Sequence, residues 1–102
     1  MTHDELFEEL KSLASQLGLP IRFEQGDFEG GLCLVNDARV IIVNKRAAVP
    51  KRVATLAAAL AQCDLDSVFV KPAVREAIED ELAKIRAEAR RAAETATAAP
   101  SS

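Results

Sequence analysis

The sequence predicts an α+β fold: a small antiparallel sheet of three to four strands with three helices, in the order α-β-β-β-α-(β)-α. Three observations lead there. Apolar residues recur at three- and four-residue spacings in three separate stretches, each opened or closed by Pro or Gly or broken by Asp. Between the first two stretches lie three short apolar runs separated by Gly, Asn and Asp. With 49% of its 102 residues hydrophobic, the chain can form a real core but no more than one domain.

In the first helix Leu6, Phe7, Leu10, Leu13, Ala14 and Leu17 make one buried stripe. Thr2 or Asp4 can cap it, Gly18 ends it and Pro20 forbids its continuation. Ile21-Arg22-Phe23-Glu24 alternates as a half-buried strand does, and Gln25-Gly26-Asp27 turns. Gly30 to Val35 forms a second strand, and Asn36-Asp37 is a tight-turn signal. Val40 to Val43 is a continuous β-branched run suited to a central strand covered on both faces. Short turns between sequential strands favour an antiparallel meander. Pro50 opens the second helix, with Val53, Leu56, Ala57, Leu60 and Cys63 on its buried side. Ser67 to Val70 offers a fourth short strand. Pro72 opens the third helix, whose stripe is Val74, Ile78, Leu82 and Ile85. From Ala73 to Glu94 that helix would span about 33 Å, longer than so small a domain needs. The expected organisation is one domain over residues 1–94 and a disordered tail over 95–102, where small and polar residues dominate.

The aromatic content is four Phe, with no Trp or Tyr, so Leu, Val, Ile and Ala must build the core. No segment approaches the roughly 18 apolar residues of a membrane helix. Asp4, Glu5, Glu8 and Glu9 do not suit a secretory signal, and a cytoplasmic location is expected. Cys33 and Cys63 are accordingly expected as buried, reduced thiols. The net charge of −3 weighs against nucleic-acid binding. Its distribution is uneven: both ends are acidic, and the middle is basic.

Arg39 to Asn44, a short basic link, and the helix containing Thr55-Leu56-Ala57 and Leu60 resemble the core of the ImmA/IrrE-type zinc metallopeptidases. The resemblance covers about residues 30–62. In that family a Thr-Leu-Ala run leads into His-Glu-x-x-His. Here the two histidine positions fall on Ala58 and Gln62, and the glutamate position on Ala59. The resemblance therefore implies a metallopeptidase-like scaffold without its catalytic groups. The residues themselves agree. The single histidine, His3, stands at the N-terminus, and the two cysteines stand alone. No metal, no cofactor and no catalytic residue is expected, since a zinc site needs several converging ligands and a hydrolase a water-activating carboxylate.

Two surfaces are candidates for function. Lys45, Arg46, Lys51 and Arg52 bracket the start of the second helix, a candidate anion site. Ala89, Ala92 and Ala93 continue the buried stripe of the third helix with nothing large to bury, a candidate interaction surface. The expected function is a non-enzymatic protein-interaction or assembly domain, with a protein partner or a homodimer and no membrane. The alternative is a small nucleic-acid- or phosphate-binding regulator acting through residues 45–52. A degenerate enzyme whose missing ligands come from a partner would require an open cleft at Ala58 and Gln62.

Overall fold

The structure, a computed structural model, describes residues 1–98. It contains three helices and three strands: α1 His3–Gln16, β1 Ile21–Glu24, β2 Gly31–Val35, β3 Ala38–Asn44, α2 Val49–Leu60 and α3 Pro72–Ala98. The class is α+β, as the periodicity predicts.

Local chemistry sets the ends of α1. Thr2 is the cap; its hydroxyl accepts the Glu5 backbone N–H at 3.2 Å. At the other end Gly18 adopts φ 72°, its N–H donates to Ser15 and the Leu19 N–H to Ala14. These paired bonds close the helix and turn the buried Leu19 inward.

The sheet has the order β1-β3-β2. β2 and β3 form the expected antiparallel hairpin, with Asn36 and Asp37 at φ 51° and 67° in its two-residue turn. β1, however, pairs with β3 in parallel, Ile21 opposite Ile41. The sheet is therefore mixed, and the antiparallel meander is corrected. The reason lies in residues 25–30, which carry the chain across the end of β3 instead of turning it back on β1. The Asn44 side-chain amide holds that crossing by donating to the carbonyls of Gly26 and Phe28 at 2.9 and 2.8 Å. Gly30 completes it, because a Cβ there would collide with the Ile42 carbonyl oxygen.

The fourth strand does not form. Residues 61–71 are turns and extended chain; Asp64 accepts the Asp66 N–H at 2.9 Å, and the Val68 N–H donates to Leu65. Local turns thus occupy backbone groups that a strand would offer to the sheet. Val70 is buried all the same, while Phe69 is 78% exposed.

One face of the sheet carries the core. Ile41 and Val43 meet Leu56 and Leu60 of α2, and Leu10 of α1 closes the cluster; all five are fully buried. α2 lies between the sheet and the other two helices. Ala57 and Ala59 are buried on it, so its small residues allow close packing on two sides. Val74 and Ile78 of α3 are buried, Leu82 and Ile85 half-buried. α3 continues through Thr95–Ala98, the first part of the expected tail, in keeping with the high helix propensity of its alanines. Residues 99–102, the rest of that expected tail, lie outside the described residues.

The opposite face carries Cys33 opposite Val40, and Arg22 and Gly31 on either side of Ile42; among the described residues no helix packs on it. Both thiols are free, but Cys33 is exposed on this face and Cys63 half-buried at the end of α2. The expectation of two buried thiols is thus corrected; β2 is an edge strand, and its Cys33 points away from the core. Among the described residues no helix is long and apolar enough to cross a membrane.

Candidate functional site

The three positions singled out by the metallopeptidase resemblance, two on α2 and one in the turn after it, share one cleft of about 290 Å³. Its floor is α2, with Ala54, Thr55, Ala58 and Ala59, and Gln62 in the turn that follows. Glu29, Gly30 and Gly31 form one wall, and Glu81, Lys84, Ile85 and Glu88 of α3 the other. The spacing of four between Ala58 and Gln62 puts both on one side of α2. Small side chains and two glycines leave the space open.

At Ala58, Ala59 and Gln62 the chemistry is sparse. The Gln62 amide donates back to the Ala58 carbonyl of α2 at 3.2 Å. Ala58 presents a methyl group, and that of Ala59 is buried beneath it. Three carboxylates line the cleft: Glu29 pairs with Lys51 at 3.4 Å, Glu81 pairs with Lys84 at 2.9 Å, and Glu88 is the third. The hydrogen bond from Lys84 to Glu81, and the charge of that carboxylate, raise the Lys84 pKa above its ordinary value. Among the described residues no group of three His, Cys, Asp or Glu side chains is arranged to hold a metal. His3 lines a separate groove between α1, α2 and α3.

The basic residues face different partners. Arg52 donates from Nε to the Ala47 carbonyl at 2.8 Å and from Nη2 to the Lys45 carbonyl at 2.7 Å, tying the link to the first turn of α2. Lys51 turns to Glu29. Arg46 lines a shallow depression that also contains Asp27 and Glu29. Lys45 is exposed. Ala89, Ala92 and Ala93 are exposed on the far part of α3.

Sequence reasoning passed over the outer edge of β2. Gly-Leu-Cys-Leu-Val contains no charge and no proline, and it borders the sheet with no strand beyond it. Leu34 is 73% exposed there and Val35 38%. The available signal was the missing charge; the parallel pairing of β1, which makes β2 an edge, was hidden. Comparison with protein-family models, curated proteins and solved structures finds no match.

Proposed function

We propose that this chain is a non-enzymatic protein-interaction or assembly domain, built on a metallopeptidase-like scaffold that lacks the metal-binding and water-activating groups. The observation that carries the reading is the open cleft at Ala58, Ala59 and Gln62, where the metallopeptidase pattern would place two histidines and a glutamate and this chain has two alanines and an amide. A cleft with room, in which the described residues form no set of metal ligands and Glu29 and Glu81 are engaged with Lys51 and Lys84, suits recognition better than turnover. The exposed Leu34 and Phe69 supply apolar contact surface of the kind interfaces use. The partner is a protein, either a second copy of this chain or another.

The test has two arms. Protein purified without chelator is analysed for metals and assayed on unstructured protein substrates; no stoichiometric zinc and no cleavage are expected. In parallel, the native chain and its Leu34→Lys and Ala58→Arg variants serve as baits from the native host. A protein recovered by the native chain and lost with either variant supports the reading. Stoichiometric zinc that survives dialysis, with peptide cleavage, overturns it.

A further inference from the structure

Resting on the interaction-domain reading, we infer that the free edge of β2 pairs with β2 of a second copy of this chain, antiparallel, about a two-fold axis at Cys33. Backbone direction comes first. The two-residue turn makes Val35 and Ala38 a hydrogen-bonded pair, so by alternation Cys33 and Gly31 also bond to β3. The N–H and C=O groups of Leu32 and Leu34 then point away from the sheet. With Cys33 at the axis, all five residues of β2 overlap: Leu32 of each copy bonds Leu34 of the other, and Gly31 faces Val35. The result is a continuous six-stranded sheet.

The edge lacks the devices that prevent such pairing. β1 carries the Arg22–Glu24 ion pair at 2.8 Å, whereas β2 has neither charge nor proline. Because β2 is uncharged, a second copy meets no like-charge repulsion along it. Leu34, 73% exposed in the monomer, packs beside Leu32 of the second copy on the helix side.

Area decides whether a strand pair is enough. Five residues extend about 17 Å, and pairing over that length covers only part of the roughly 800 Å² per partner that a stable interface needs. α3 supplies the rest. Val74 lies beside Glu9 and Leu13 of α1, while Glu81, Lys84, Ile85 and Glu88 reach the β2 flank at Gly30 and Gly31. α3 therefore runs from the α1 side toward β2. Its ten residues beyond Glu88 continue about 15 Å past that flank. A second copy on β2 sits beneath this overhang, and the two-fold axis repeats the contact.

The full chain tests this. Light scattering across the micromolar range is expected to give twice the monomer mass. At a non-hydrogen-bonded site facing Cα atoms lie about 4.5 Å apart, within disulfide reach. Diamide, which takes up the two electrons and two protons released, is therefore expected to cross-link the native chain and Cys63→Ser but not Cys33→Ser. Leu34→Lys is expected to weaken the dimer at least tenfold while leaving the circular dichroism spectrum unchanged. A monomeric mass throughout overturns the proposal. So does a dimer cross-linked only through Cys63, or one that Leu34→Lys leaves intact. A monomer that still captures another protein in a Leu34-dependent way sinks the β2 dimer and leaves the interaction reading standing.

Discussion

Two residues show how tightly the interior is specified. Leu60 is fully buried on α2 against the sheet. Its replacement by Ala leaves a hole that the β-branched side chains of β3 are too stiff to fill, and is expected to cost about 2–5 kcal/mol in urea unfolding. A loss below about half a kcal/mol would mean that the site collapses. Gly30 is limited from the other direction. A methyl group there meets the Ile42 carbonyl and approaches the Thr55 Cγ2 to 3.0 Å. Backbone cannot step aside as a flexible side chain does, so Gly30→Ala is expected to destabilise by about 1–3 kcal/mol or more. An unchanged unfolding midpoint would show that the crossing loop is looser than this packing implies.

At the scale of elements, the β2–β3 turn has room for improvement. Asp37 holds φ 67°, a region that costs residues with a Cβ and suits glycine. Asp37→Gly restores the favoured Asn-Gly pair and is expected to stabilise by up to about 1 kcal/mol, read as a higher urea midpoint at unchanged slope. The helices were legible in the sequence because their apolar spacing is regular and their ends carry Thr2, Gly18, Pro50 and Pro72. The hairpin was legible from Asn36-Asp37. The sheet order was not, because it depends on Asn44 reaching back to Gly26 and Phe28, a contact 16 to 18 residues away in sequence. Ser67 to Val70 misled for a related reason: Val70 is buried and Phe69 exposed beside residues of α1 and α3, not beside a strand. The cleft was half legible. Four-residue spacing placed Ala58 and Gln62 together, but only the fold brings Gly30 and Glu88 to them.

For the molecule as a whole, charge and topology have separate consequences. The net charge is −3, and of the cations at the start of α2 Arg52 is turned to carbonyls and Lys51 to a carboxylate. Binding to duplex DNA at physiological salt is therefore expected to be weak, with a shallow salt slope in fluorescence anisotropy; a steep slope with tight binding would count against this. The parallel pairing of β1 with β3 has a consequence in time. The β2–β3 hairpin closes over two residues and can form in microseconds, whereas β1 must find β3 from twenty residues away. The hairpin is therefore expected to form before β1 docks. Destabilising changes in the Asn36-Asp37 turn are then expected to slow refolding, while Ile21→Val is expected chiefly to hasten unfolding, in stopped-flow chevrons. The reverse pattern would place β1 in the folding nucleus. On this order of events, each folding chain passes through a stage in which β3 offers an unfilled second edge, so crowded refolding is where this small sheet is most exposed to joining the wrong strand.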